Sequence, residues 1–129
     1  MTNSKYDNYF YFRAVADEDD DDDSAASVML PVNKIQGMGP TGTTTLTIYF
    51  ESERNEVISD TVALTVTAGK MKKVIHSLVS AMNRGPHSDG VTVIADDVTT
   101  DYDGTTRSAV YIHPDISAMA AITIAAANS

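Results

Sequence analysis

Apolar and polar residues alternate strictly in two segments of the chain. Leu46, Ile48 and Phe50 interleave with Thr45, Thr47 and Tyr49, and Val62, Leu64 and Val66 interleave with Thr61, Ala63 and Thr65. Successive side chains of an extended strand leave on opposite faces, so each segment reads as a half-buried strand. The linker at 51–60 is polar and suits a hairpin loop in water, so the two strands are expected to pair antiparallel. Further strands are predicted at 9–15, 27–35, 91–95, 108–112 and 121–125, about seven in all, separated by Gly, Pro and Asp clusters. Pro31 has no N–H to give to a ladder and marks a sheet edge or a bulge. The stretch Gly37-Met38-Gly39-Pro40-Thr41-Gly42 reads as a turn leading into the strand at Thr45.

One segment has helical periodicity. Met71, Val74, Ile75, Leu78, Val79 and Met82 fall at i, i+3, i+4, i+7, i+8 and i+11 and form an apolar stripe. Thr67 can cap the start, and Gly85 followed by Pro86 supplies a stop, which predicts a helix over about 68–84. A helix lying on a sheet must bury one face, so the stripe is read as core. The expected fold is therefore mainly β: a single domain over 1–129, with about seven strands in an antiparallel barrel or sandwich and one amphipathic helix. A chain of 129 residues affords one hydrophobic core and not two.

Charge changes this picture in one place. Seven consecutive acids occupy 17–23, between the aromatic run Tyr9-Phe10-Tyr11-Phe12 and the apolar Val28-Met29-Leu30, and they supply most of the net charge of −9. Adjacent carboxylates about 6 Å apart repel by roughly 0.7 kcal/mol even in water, so residues 17–26 are expected to form an extended, solvated loop. Hard cations take carboxylate oxygens, which makes Asp19, Asp20, Asp21 and Asp22 candidates for Ca²⁺ or Mg²⁺, although the run lacks the glycine and carbonyl ligands of an ordered calcium loop. A diffuse counterion atmosphere is the plainer reading. Asp96, Asp97, Asp101 and Asp103 form a second acidic group, yet Thr99 and Val110 stand where an EF-hand needs its first and twelfth ligands. Asp103-Gly104 reads better as a turn between two strands.

The opposite charge collects on the predicted helix. Lys70, Lys72, Lys73 and Arg84 fall in a stretch from Thr61 to Ser88 that holds no acid. Such segregation favours contacts between copies or with an anionic partner, while an ordinary solvated helix face is the plainer reading. Tyr9, Tyr11 and Phe12 belong to a run whose consecutive aromatics must emerge on both faces of a strand, so they are candidates for contact with a neighbouring subunit, for the core, or for stacking on bases. A pI near 4.5 disfavours nucleic acid as the partner.

Chemistry is otherwise sparse. With no cysteine there is no disulfide, thiolate nucleophile or cysteine metal site, and no oxidising compartment is required. His76, His87 and His113 show neither metal-ligand spacing nor a serine-hydrolase motif, and the Gly37 to Gly42 stretch lacks the lysine of a phosphate loop. No enzyme, cofactor or small-molecule substrate is expected. The first residues, Met1-Thr2-Asn3-Ser4-Lys5, lack the basic-then-apolar pattern of a secretory leader. The longest apolar stretch, at 118–127, is half the length of a membrane span, so no membrane association is expected.

Three stretches carry a resemblance: Leu46-Thr47-Ile48-Tyr49-Phe50-Glu51-Ser52, Asp60-Thr61-Val62-Ala63-Leu64-Thr65-Val66-Thr67, and Gly90-Val91-Thr92-Val93-Ile94-Ala95-Asp96-Asp97. Over about residues 27–125 the pattern is similar to small β-rich proteins of marine, mostly cyanobacterial, phages and of ocean metagenomes, some of which have an Sm-like barrel and form rings. The resemblance implies a virion structural protein, a capsid decoration or assembly subunit, made in the host cytoplasm and meeting copies of itself and other virion proteins. The alternative it implies is an Sm-like oligomeric nucleic-acid binder using Lys70, Lys72, Lys73, Arg84 and the N-terminal aromatics. A calcium-dependent assembly module is a third expectation.

Overall fold

The computed structural model describes residues 9–22, 26–52, 59–83 and 91–124. Among the described residues, eight strands form two four-stranded sheets: β1 (Tyr9–Arg13), β2 (Ser27–Pro31), β3 (Ile35–Gly42), β4 (Thr45–Phe50), β5 (Asp60–Val66), β6 (Val91–Asp96), β7 (Val110–Tyr111) and β8 (Ile116–Thr123), with one α-helix, α1 (Met71–Asn83), between β5 and β6. The strand order is β2-β1-β6-β7 in the first sheet and β3-β4-β5-β8 in the second. The sheets do not close into a barrel, and the fold is a β-sandwich, the second of the two architectures anticipated.

Alternation decides what fills the sandwich. Leu46, Ile48 and Phe50 of β4 and Val62, Leu64 and Val66 of β5 all lie at 1% exposure or less, facing Phe10 and Phe12 of β1 and Ile94 of β6. The rings interlock edge to face, with Phe12 6.2 Å from Phe50 and 6.4 Å from Phe10 between centroids, an arrangement that sets the positive edge of one ring against the negative face of the next. The hairpin of β4 and β5 pairs antiparallel as expected, from Thr45 opposite Thr65 to Phe50 opposite Asp60. Pro31 does end an edge strand, and the Asp103-Gly104 turn does connect antiparallel strands, with Gly104 at φ +88°.

Several sequence expectations change. One strand pair, β1 with β6, runs parallel, because α1 carries the chain from the second sheet back to the first. The strand expected over 27–35 is cut at a 3₁₀ turn, Val32–Lys34, and the residues beyond it start a separate strand, β3. The glycine-rich stretch anticipated as a turn is thus most of β3, which tolerates Gly37, Gly39 and Pro40 because it pairs with β4 on one side only and carries two register shifts. The last strand spans Ile116–Thr123 rather than 121–125. The helix begins at Met71, three residues late, since Gly69 adopts φ +81° and turns the chain before helical hydrogen bonding can start. Its buried face is Val74, Leu78 and Ala81, flanked by Met71, Ile75 and Met82, while Val79 lies off the stripe and is 40% exposed.

Candidate interaction surfaces

A single irregularity organises the outer face of the first sheet. Tyr11 pairs with Val93, but Phe12 pairs with Ala95, so Ile94 is an extra residue and the pairing shifts by one. Ile94 and Ala95 both enter the core, and the next residue, Asp96, is turned to the outer face beside its register partner Arg13. There the two form a two-pronged ion pair: Arg13 Nε donates to Asp96 Oδ1 at 2.9 Å and Nη2 to Oδ2 at 2.8 Å. Arg13 is 8% exposed and Asp96 5%. Val98 N–H also donates to Asp96 at 3.1 Å, and Arg107 Nη2 reaches it at 3.4 Å.

This pair is the anchor of the acidic segment. The third nitrogen of Arg13, Nη1, donates to Asp21 at 2.8 Å and lies 3.6 Å from Glu18, while the guanidinium carbon sits 5.9 Å above the Tyr11 ring. Backbone bonds complete the attachment: Glu18 N–H to Thr100 O at 2.9 Å, Thr99 N–H to Ala16 O at 2.8 Å, and Tyr102 N–H to the Glu18 carboxylate at 3.0 Å. Residues 17–21 are therefore tied to the loop between β6 and β7 through a 3₁₀ turn and are not extended as expected, while Asp17, Asp19 and Asp20 stay exposed to solvent; 23–25 lie outside the described residues. Guanidinium charge and oriented N–H groups offset the mutual repulsion of the carboxylates.

Burial pushes the Asp96 carboxyl up, but the Arg13 hydrogen bonds, the Val98 N–H and the two guanidinium charges outweigh it and hold the group below the usual carboxylate range. The same contact with Asp96 raises Arg13 further above its already high value, against desolvation. A carboxylate depressed in the folded state stabilises the protein above its unfolded pKa of about 4, and that contribution is lost as pH falls through the folded value. Asp96→Asn is expected to lower stability by about 2–3 kcal/mol at pH 7. The gap from the wild type should shrink as pH drops below about 4, where the wild type loses the same charge. Urea titrations of both proteins between pH 2.5 and 7 measure this; a gap constant with pH would refute it.

Asp97 performs a related task between the sheets. Its Oδ1 accepts from the Tyr111 hydroxyl at 2.5 Å, and its two oxygens accept from Met119 N–H at 3.1 and 3.2 Å, which joins β7 and β8. Burial first, and then Asp97, raises the Tyr111 hydroxyl above its ordinary range.

Beyond the docked loops the outer face carries Met29 and Val93 exposed, with Tyr9, Tyr11, Pro31 and Val91 half-buried beside them. Tyr11 stands between Met29 of β2 and Val93 of β6, and Tyr9 between Pro31 and Val91 in the next row. Met29 is 49% exposed and Val93 37%. The Tyr11 hydroxyl bonds Ser27 Oγ at 2.9 Å, which ties the ring to β2. Tyr9 and Tyr11 lie half-buried on this outer face. Phe12 does not: it lies at 0% exposure in the core, because the face opposite Tyr11 is the buried one.

The basic candidates divide as well. Lys72 and Lys73 are exposed on the outer side of α1, Lys70 precedes its first turn, and Arg84 lies outside the described residues. Among the described residues, no group of three or more acids and histidines converges as a metal site needs. Of the proposed ligands Asp21 is taken by Arg13, whereas Asp19, Asp20 and Asp22 are exposed. Sequence reasoning missed Arg13 and Arg107 and placed Asp96 and Asp97 in an acidic cluster without partners, because their association depends on a bulge that alternation does not register. In comparisons with protein-family models, characterised proteins and solved structures, nothing matches this chain.

Proposed function

We propose that this protein is a non-enzymatic structural subunit, a virion component of the capsid-decoration or assembly type, that acts by meeting copies of itself and other proteins of a shell. The observation that carries the reading is the row Met29, Tyr11 and Val93 on the outer face of the first sheet, with Met29 and Val93 exposed and Tyr11 half-buried between them, continued by the half-buried Pro31, Tyr9 and Val91. Half-exposed apolar side chains on neighbouring strands form a flat patch, and such patches on soluble domains mark protein contacts. The tyrosines suit the role, offering a large, stiff ring with a polar tip. Rigidity favours it too, since the ion-paired node next to the patch holds β1 and β6 in register and little order has to be gained on contact.

The test is mass in solution together with detection in particles. The wild type is expected to sediment above its monomer mass of 13.8 kDa at tens of micromolar and to be found in purified virus particles by mass spectrometry. Val93→Lys and Met29→Lys, each at the patch, should shift the protein to monomer while changing folding stability by only about 0.5 kcal/mol. A wild type that stays monomeric at millimolar concentration and is absent from particles defeats the proposal.

A further inference from the structure

The outer side of α1 forms one wall of an open groove of about 640 Å³. Lys72 and His76 lie one helical turn apart on it, and Lys73, Ser77 and Ser80 follow along the adjoining stripe. His113, from the turn between β7 and β8, lines the same groove. The His113 Nδ1 accepts from Asp115 N–H at 3.0 Å, so the neutral ring carries its proton on Nε2 and is a donor there. The lining thus offers two ammonium groups, two imidazoles and two hydroxyls and, among the described residues, no carboxylate. Asp115, 3.7 Å from His113 Nδ1, lies outside the lining, and neither Lys72 nor Lys73 has an ion-pair partner among the described residues. In a chain of net charge −9 this is an isolated cationic hollow.

Its complement lies on the same chain. Asp19 and Asp20 occupy the 3₁₀ turn Glu18–Asp20, exposed and without an ion-pair partner among the described residues. The residues on either side are tied inward, Glu18 through Thr100 and Tyr102, and Asp21 through Arg13. The turn is therefore presented already shaped, so insertion needs little further ordering. Within one molecule these acids are not paired with Lys72 or Lys73, and their pairing requires two molecules.

We propose that the groove lined by Lys72, Lys73, His76 and His113 receives the Asp19–Asp20 turn of a second copy. The inference rests on reading the chain as a self-assembling subunit, and it names one contact by which copies join. Groove and turn are different surfaces, so the contact is head-to-tail: each copy gives one and receives one, and repetition yields a ring or a filament rather than a two-fold dimer. It also accounts for how copies with so much like charge approach, because the acidic turn of one lands between the two lysines of the next. A nucleic acid is less suited to the groove, since its phosphates would meet the same acidic turns on every neighbouring copy.

Charge exchange tests it. Lys72→Glu/Lys73→Glu and Asp19→Lys/Asp20→Lys alter exposed side chains only, and thermal melts should show both full-length variants folded. Each alone sets like charges against each other and should weaken self-association at least about tenfold in sedimentation velocity at low salt. Mixed together, the acidic groove of one variant meets the basic turn of the other, and the reverse pair is also complementary, so assembly should return. Assembly of either variant at the wild-type level, or a mixture no better than its components, overturns the inference. Loss of single-stranded DNA binding in the Lys72→Glu/Lys73→Glu variant with self-association intact would assign the groove to nucleic acid and overturn it too. If the wild type assembles but the reversals have no effect, this contact alone fails; a wild type monomeric at every salt concentration removes both this contact and the assembly reading.

Discussion

Replacing Arg13 by Ala is expected to destabilise the protein by about 3–5 kcal/mol, a large share of the whole folding free energy of a domain this size. The side chain bonds both oxygens of Asp96 and one of Asp21, and removing it leaves Asp96 buried with only the Val98 N–H and the more distant Arg107 as partners. An unpaired buried carboxylate either keeps its charge at high cost or takes up a proton, and each route favours the unfolded chain. The damage should also spread, because residues 17–21 reach the sheet through the same guanidinium. Hydrogen exchange is expected to show faster exchange at Glu18, Thr99 and Thr100, whose amides bond across the two loops. Arg13→Lys should recover little, since one ammonium cannot match a planar fork aimed at two carboxylates. By contrast, Arg13→Met/Asp96→Leu removes both charges and should lie much closer to the wild type than Arg13→Ala does. Denaturant unfolding of the four proteins decides the matter, and an Arg13→Ala protein within 1 kcal/mol of the wild type would show the pair to be ornamental.

How much of this was legible in the chain follows from what each signal measures. Alternation reports burial on one face, and it located β4 residue by residue and β5 all but Asp60, which reads as part of the linker, because both cross the middle of the sandwich and turn alternate apolar side chains into the core. The helix was legible for the same reason. Alternation fails where pairing, not burial, makes the strand: β3 sits at an edge, exposes Gln36, Gly37, Pro40, Thr41 and Gly42, and is a strand only because β4 holds it there. It fails again at Ile94, where one extra residue reverses the inward set and sends Asp96 to the outer face. That reversal converts part of an apparent acidic loop into the partner of a buried arginine. The acidic run showed the same limit from the charge side, since counting carboxylates gives their repulsion but not the guanidinium and amide donors that the fold brings to them. The patch of Tyr9, Tyr11, Met29, Pro31, Val91 and Val93 was half visible. The aromatic run was in plain view, but Met29 and Val93 join it only through the registers of two different neighbours, one antiparallel and one parallel.

Tyr11 and Phe12, adjacent in sequence, should give opposite results on substitution. Phe12→Ala is expected to cost about 3–5 kcal/mol, because the ring is wholly enclosed and its removal leaves a cavity bordered by Phe10 and Phe50, both edge to face with it. The backbone on either side is fixed in ladders to β2 and β6, so the walls have little room to collapse into the space, which places the cost in the upper part of the range for such deletions. Phe12→Leu keeps most of the volume and should fall well below that cost. Tyr11→Ala removes a ring from the solvent side and should cost far less, about 1 kcal/mol, through its bond to Ser27 and its contact beneath the Arg13 guanidinium. On assembly the order reverses: at temperatures where each variant is folded, Tyr11→Ala should weaken association between subunits, and Phe12→Ala should leave the sedimentation of its folded fraction unchanged. Thermal melts paired with sedimentation on the two variants read both quantities. Equal loss of association in both would mean that contact between subunits depends on the stiffness of the whole sandwich, and the outer row of side chains would then lose its claim to be the contact surface.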